Sequence, residues 1–566
     1  MNGTDHDTDV LIVGAGPVGL TLAIDLASRG VNVRVVELRR AGEPPSVKCN
    51  HVSARSMEIF RRLGIAGTIR AAGLPADYPH DVSYRTTTVG EEMSRIRIPS
   101  PAGRARGEKG DDTWWPTPEP PHRINQIFLE PILFQYAVEQ PRLKIMSRTS
   151  LEGFEEVEGG VSAKIRDLET GAVSTISCRY LIGCDGGSSG VRKAIGAKLV
   201  GDAVVQRVQS SFIDAPALLG MMTAAPAWSN FSLNPRRSGN VYAIDGERRW
   251  LVHNYLKADE PEFDSVDRDW SIRQILGVGP DFQYEMITNE DWVGRRLVAD
   301  RFRRGRVFLC GDAAHIWVPF AGYGMNAGIA DAANLAWLLA AHLRGWAPAT
   351  ILDAYEGERG PITEQVSYFA MNHAQQAAEQ RRSVPDDLEA LTPEGEAARR
   401  ALGQAAYDLN VRQYCCGGLN FGYFYETSPL IAYDGAAAPG YSMSDFTPST
   451  VPGCRTPHFW LEDGRSLYDA MGPDYTLLRF DRSIAVTGLV EAARRKGVPL
   501  TVLDVGRSGV PPVYEHALLL SRPDQHVAWR GDRAPEDPTA LIDRIRGAAS
   551  GAVVDAPARA PSLTAS

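Results

Sequence analysis

Asp9-Val-Leu-Ile-Val13, Gly14-Ala-Gly-Pro-Val-Gly19, an apolar-spaced stretch from Leu20 to Arg29, Gly30, and Val31 to Glu37 decide how the rest of the chain is read. The four consecutive apolar residues Val10 to Val13 suit a strand buried on both faces. Helical spacing follows, Gly30 ends the helix, and a second strand finishes on an acid. The order is strand, glycine turn, helix, strand. Gly14 permits the tight turn, Gly16 admits a pyrophosphate close to the backbone, and Gly19 lets helix and strand pack closely. The helix N-terminus offers free N–H groups to phosphate. Glu37, about 20 residues past the turn, is placed to accept from ribose hydroxyls and disfavours a 2′-phosphate. In this setting the GxGxxG is a dinucleotide site, and the absence of a second one implies that a single dinucleotide is held.

Working outward, 566 residues at roughly 150 per folding unit allow three or four units. A hydrophobic fraction of 44% excludes wholesale disorder. Sixty Lys+Arg against 69 Asp+Glu give a net charge of −9, which argues against nucleic acid as a partner. No run of about 18 apolar residues predicts a membrane span, and the polar, acidic start is no signal peptide. Seven cysteines without CxxC or His-Cys zinc spacing imply reduced thiols, no metal and a cytoplasmic protein. The adjacent Cys415-Cys416 precede a Gly-Gly turn and are not read as a redox pair.

Further along, residues 99–122 form a long loop rich in Pro and Gly, followed by a helix from Phe128 to Glu139. Tyr180-Leu-Ile-Gly-Cys-Asp-Gly186 is again a strand feeding a turn. Residues 195–288 alternate as β structure, with a hairpin across Val241–Tyr255 turning at Asp245-Gly246. Gly305 to Asp312 is a strand ending in an acid, and a glycine loop and a helix from Ala327 to Arg344 follow. Residues 475–548 read as strand, helix, strand, strand, strand, helix, a thioredoxin-like order without its CxxC. The small, Pro/Ala-rich tail 551–566 reads as disordered.

Gly14-Ala-Gly-Pro-Val-Gly19, Cys184-Asp-Gly186 and Gly311-Asp-Ala-Ala-His315, in that order, resemble the class A flavoprotein monooxygenases, the p-hydroxybenzoate hydroxylase-like family. With Pro452-Gly-Cys-Arg-Thr-Pro-His458, the C-terminal unit resembles that of phenol hydroxylases and aromatic polyketide hydroxylases. The resemblance implies an α/β protein. A Rossmann-like FAD-binding domain (1–195, with the loop 99–122) would carry an inserted β-sheet substrate domain (196–288). A second part of the FAD domain with a helical region (289–445), a thioredoxin-like domain (446–550) and the tail would follow.

It also implies FAD as cofactor, NAD(P)H as transient co-substrate, and O₂, acting through a flavin C4a-hydroperoxide on an electron-rich, phenolic or polyketide-like aromatic. Gly14, Gly16 and Gly19 would hold the pyrophosphate, Glu37 the ribose, and Arg123 and Gln126 the FAD from the adjoining helix. Asp312 would meet the ribityl–pyrophosphate region, with Gly324, Met325 and Asn326 along the isoalloxazine. Asp185 belongs to a motif tied to both FAD and NAD(P)H. Lys48 stands where related enzymes often have Arg.

The loop after Asp312 departs from the family pattern by Ala321, Trp317, Phe320 and Tyr323, which makes the pocket wall more aromatic. Pro319 and Phe231 join those aromatics as substrate-side candidates, although aromatics at strand spacing are ordinarily core. Deprotonating a phenol calls for a base, for which His253 and Tyr242 are the candidates, with His51 and His315 behind them. A lone strand histidine is ordinarily surface or hydrogen-bonded core, and His315 reads as structural. Arg301-Phe-Arg-Arg-Gly-Arg306 reads as solvated approach to a strand, with docking of NAD(P)H phosphate as the minority reading. Baeyer–Villiger oxygenation of a polycyclic ketone and a non-catalytic FAD-binding protein stay open as alternatives, as does a homodimer.

Overall fold

The computed structural model describes residues 6–318 and 322–549, so Pro319, Phe320 and the tail 551–566 lie outside the described residues. An eight-stranded sheet is centred on five parallel strands: Val307–Leu309, Val173–Gly183, Thr8–Val13, Val33–Val36 and Leu143–Met146, in spatial order. Counted along the chain, this is the 3-2-1-4-5 order of a dinucleotide-binding sheet. Val10, Leu11 and Ile12 are wholly covered, as an apolar run in a parallel sheet requires. The strand order reverses between Thr8–Val13 and Val173–Gly183, so their carboxyl ends part into a crevice. The Cys184 N–H donates to the Val13 carbonyl at 2.8 Å, and the Cys310 N–H to that of Gly183 at 3.0 Å. The three sequence motifs therefore meet at the ends of three adjacent strands.

A second eight-stranded sheet stands over this crevice. In order it contains His315–Ile316, Glu285–Ala299, Leu199–Asp214, Arg249–Tyr255, Gly239–Ala243, Ser229–Ser232, Val82–Arg85 and Glu92–Ile96. The expected hairpin is present, and the Asp245 carboxylate accepts the N–H groups of Glu247, Arg248 and Arg249, each at 3.0 Å. The sheet is wider than residues 196–288. Val82–Arg85 pairs in parallel with Ser229–Ser232, and Glu285–Ala299 runs on beside Leu199–Asp214. A parallel neighbour comes from distant sequence and leaves no hairpin turn to read. The loop 99–122 is anchored: it contains the short helix Pro101–Ala105, Trp115 is buried, and Glu119 binds Arg61 and Arg70 at 2.9 and 2.6 Å.

Three long helices, Tyr323–Leu343, Ala354–Arg382 and Pro393–Tyr414, lead to the C-terminal unit. Its sheet runs Leu500–Asp504, Tyr475–Arg479, Leu518–Ser521, Val527–Gly531, with the first pair parallel and the others antiparallel. Helices Thr487–Lys496 and Pro538–Ile545 pack together beside it, which completes the thioredoxin-like layer. The unit docks through buried ion pairs, Arg522 to Glu358 at 2.6 Å and Arg455 to Glu58 at 2.5 Å, and Asp524 of the same unit steadies Arg522 at 2.8 Å. All seven cysteines are free. Burial raises the thiols of Cys415 and Cys416, the latter to about 11, which leaves both as inert thiols.

Candidate active site

The glycine loop is built as its spacing requires. Gly14 has φ +102°, and a Cβ there would fall 2.5 Å from the Cys184 carbonyl oxygen. A Cβ on Gly19 would fall 2.1 Å from the Gly14 oxygen, whereas one on Gly16 would meet nothing within 4 Å. Gly16 faces open space and caps helix Pro17–Ser28 with no side chain, so the first-turn N–H groups point into a cleft. That cleft encloses about 650 Å³. Gly16, Gly19, Cys184 and Gly186 form one part of its wall, and Asp312, Trp317, Gly324 and Met325 another. Lys48, Gln126, Glu130 and Arg39 line the wall formed by the 39–50 segment and the adjoining helix.

Several expected residues are engaged by the protein itself. Glu37 accepts from the Ala15 N–H at 2.6 Å and from Arg39 at 3.0 Å, holding the glycine loop against the second strand. Arg39 continues to Glu130 at 2.5 Å, and Gln126 donates to Glu130 at 2.9 Å, so one polar chain lines this side of the cleft. Lys48 pairs with Glu290 of the substrate sheet at 2.5 Å and thereby spans the two walls. Asp312 opens onto the cleft; burial raises its carboxyl above the ordinary value, against the pull of His315 and Lys48. Asp185 is spent on its own loop, accepting from the Ser189 hydroxyl at 2.5 Å and the Val191 N–H at 3.1 Å.

Three residues expected on the cofactor or the substrate face elsewhere. Arg123 is buried behind His51, to whose Nδ1 it is hydrogen-bonded, and lies over the Trp228 ring at 4.2 Å. The chain just before it is held by the bridge between Val52 and His122, and Asn125 caps the next helix, which turns Arg123 away from the cleft. Asn326 donates to the carbonyls of His51 and Gly322 and accepts from the Ser53 N–H at 2.8 Å, tying loop to loop. Tyr323 is buried, its hydroxyl bonded to Asn420 at 2.5 Å and to the Cys416 sulfur at 3.1 Å. Trp317 does face the cleft and stacks on His315 at 4.6 Å. His315 itself is held by Asp331 at 2.6 Å, the structural role expected of it.

On the substrate sheet, alternation puts Phe231, Asn240 and His253 in one row and Tyr242 with Leu251 in the next. His253 lines the cleft, with Tyr242, Tyr255 and Trp292 edge-on to it at 5.5, 6.5 and 5.8 Å. No hydrogen-bond partner of its ring occurs among the described residues, and burial lowers its pKa to about 4. The imidazole is thus neutral at pH 7. Tyr242 is not a base: burial pushes its phenol well above 10, so it keeps its proton. His51 is likewise held neutral by burial and by Arg123, but its Nδ1 is occupied. Phe231 stacks on Tyr84 at 5.0 Å. Sequence reasoning missed Trp292 and Glu290, because it ended the sheet at residue 288. Arg303, in the arginine-rich turn, is held by Asp353 at 2.5 Å, and Arg304 reaches the Ile195 carbonyl at 3.4 Å; both brace the fold.

The open glycine cradle, the helix N-terminus without a side-chain cap and Asp312 in one crevice fit FAD. A profile of the FAD binding domain matches residues 7–370, and one of the aromatic-ring hydroxylase C-terminal domain matches 449–549. The chain belongs to the class A flavoprotein monooxygenases. FAD is the cofactor of this monooxygenase, and NAD(P)H and O₂ are its co-substrates. The monooxygenase is 31% identical to tetracenomycin B2 monooxygenase-dioxygenase of Streptomyces olivaceus, over 95% of this chain and 97% of that one. It is 29% identical to phenol 2-monooxygenase of Pseudomonas sp. (strain EST1001), over 96% and 93%. Among solved structures, the rebeccamycin biosynthetic enzyme RebC with reduced flavin matches with TM-score 0.86 and 34% identity, over 96% of this chain and 99% of that one. A ternary complex of aklavinone-11 hydroxylase with FAD and aklavinone matches with TM-score 0.79 and 27% identity, over 96% and 99%. No helix among the described residues of the monooxygenase is long and apolar enough to cross a membrane.

Proposed function

We propose that the enzyme hydroxylates a phenolic, polyketide-like aromatic whose ring lies against His253, and that His253 accepts the ring hydroxyl proton. The observation that carries this reading is a neutral imidazole with no protein partner, facing the FAD cleft inside a box of Tyr242, Tyr255 and Trp292. FAD, when bound, takes reducing equivalents from NAD(P)H and activates O₂ for transfer to the ring. The first-turn N–H groups of helix Pro17–Ser28 would hold its pyrophosphate, with Asp312 and Lys48 nearer the reacting end.

The remaining residues orient the ring and keep the site dry. Trp292, Trp317 and Leu251 present apolar surface to the cleft, which excludes water from the reacting centre. His253 draws the proton at Nδ1 or Nε2 as the ring gains oxygen, which raises electron density on the ring where it is attacked. Phenol activation of this kind favours hydroxylation over Baeyer–Villiger attack on a ketone, and product analysis separates them because hydroxylation leaves the carbon skeleton intact. Seven free cysteines, five of them buried, support a reducing, cytoplasmic setting.

The test is His253→Gln, assayed for product, NAD(P)H oxidation and H₂O₂ release with a panel of phenols. Loss of general-base help lowers product formation by about 10²- to 10⁴-fold, while bound FAD is retained and H₂O₂ release rises. In the unmodified enzyme the base is competent above its pKa of about 4, so kcat/KM falls only as pH drops toward 4. A variant that hydroxylates within a few-fold of the parent across pH 5–9 refutes the assignment.

A further inference from the structure

A second cavity, of about 610 Å³, lies between residues 204–207, residues 255–260 and the last turns of helix Ala354–Arg382. Six cationic side chains line it. Arg236, Arg237 and Arg382 are paired with Glu389, Glu260 and Glu379. Arg207 and Arg381 have no carboxylate partner among the described residues, and Lys257 makes no close ion pair although Glu260 feels its charge. Arg381 lies over the Tyr255 ring at 4.1 Å, and Nη2 donates at 3.0 Å to the neutral amide oxygen of Gln206. A guanidinium carries five N–H donors, so most of its capacity is unused in a confined wall where charge is expensive to leave uncompensated.

This cavity is tied to the reaction site by one strand. Tyr255 and His253 sit two residues apart on the same face of Arg249–Tyr255, with ring centroids 6.5 Å apart. Two strand residues advance about 7 Å, roughly the length of a pair of fused aromatic rings. His253 faces the flavin cleft and Tyr255 faces the second cavity.

We propose that the cavity is a carboxylate subsite for the distal end of the aromatic substrate. With one ring at His253, the substrate extends along Tyr255 and sets a carboxylate against the fork of Arg381, with Arg207 and Lys257 adding positive charge. The substrate is then an aromatic acid. This rests on the proposed placement of the reacting ring at His253.

The test is calorimetric binding to the FAD-loaded, full-length protein, which does not depend on turnover. The probes are 6-hydroxy-2-naphthoate and 2-naphthol, a pair differing only in the carboxylate. The parent binds the naphthoate about 10- to 100-fold more tightly, the worth of hydrogen bonds to a charged group. Arg381→Gln removes that preference and leaves 2-naphthol binding unchanged, and Arg381→Lys restores part of it. Arg207→Gln, checked for the same FAD content, weakens only the naphthoate. Equal binding of the two probes by the parent overturns the proposal. So does a preference that survives both glutamine variants, or a rise in the KM of NAD(P)H with naphthoate binding intact. If naphthoate binds by Arg381 yet no substrate-coupled oxygen uptake occurs, the subsite stands and the hydroxylase placement at His253 fails.

Discussion

Arg522→Met should destabilise the docked C-terminal domain more than Glu358→Ala, although both remove the same ion pair. Arg522 grips Glu358 through two bonds, at 2.6 and 2.8 Å, and Asp524 through two more, at 2.8 and 3.0 Å. The side chains of Arg522 and Glu358 are wholly buried. At an effective dielectric of about 20, a unit pair some 4 Å apart is worth about 4 kcal/mol, and breaking a buried pair from one side costs about 3–5 kcal/mol. Glu358→Ala leaves the guanidinium with Asp524, which places its cost near 3 kcal/mol. Arg522→Met leaves two buried carboxylates without their shared cation, with only neutral donors such as Asn334, Ser428 and Tyr425 remaining, and its cost should reach about 5 kcal/mol. Thermal unfolding of the FAD-loaded enzyme gives the ranking, and limited proteolysis reports release of residues 449–549.

The pH dependence supplies a second readout. Against burial, which raises it, Arg522 holds the Asp524 carboxyl well below its ordinary value. A depressed carboxyl stabilises the fold above about pH 4 and loses that contribution as pH falls through its folded pKa. Without Arg522 this contribution is gone, so the gap between parent and Arg522→Met is full at pH 7 and narrows below about pH 4. Equal costs for the two variants, a larger cost for Glu358→Ala, or a gap that widens in acid would refute this reasoning.

Gly19→Ala should cost the enzyme its FAD, because the added Cβ lands 2.1 Å from a backbone oxygen of the cradle and must push helix from strand; retention of one flavin per chain after gel filtration contradicts it. Acid should also weaken the fold through histidines buried in the neutral form. Burial lowers His122 to about 4 and His458 to about 3, so stability is full above about pH 6.5 and declines as pH falls toward those values. By the end of its own range His122 is worth about 3 kcal/mol and His458 about 4 kcal/mol. Thermal midpoints from pH 8 to 4 should slope less steeply in His458→Gln than in the parent, and identical slopes would remove His458 from the account.

What the amino-acid sequence determined by itself was the chemistry of short segments. The roles of Gly14, Gly16 and Gly19 follow from the spacing of a turn that must be tight, open and close-packed in sequence, and the built loop has those properties. The C-terminal elements were legible for the same reason: each is a local pattern of apolar period and turn, and the sheet and helices form over nearly the expected residues. Trp317, Met325, Lys48 and Gln126 also line the cleft, since each stands beside a motif whose strand end fixes its place.

The tertiary structure alone decided which way other side chains face. Arg123, Asn326 and Tyr323 share a motif with cleft residues but bond to His51, Ser53 and Asn420, whose positions depend on contacts distant in sequence. Pairing Val82–Arg85 with Ser229–Ser232 carries no local signal, because a parallel register is set by the whole sheet. The same holds for His253 against Tyr242. Both stand on one face of the hairpin, and only the packing of Trp292 and Tyr255 leaves an imidazole neutral and unpartnered at the cleft while the phenol keeps its proton. Backbone conformation follows from neighbours in sequence; burial, and with it protonation and reach, follows from neighbours in space.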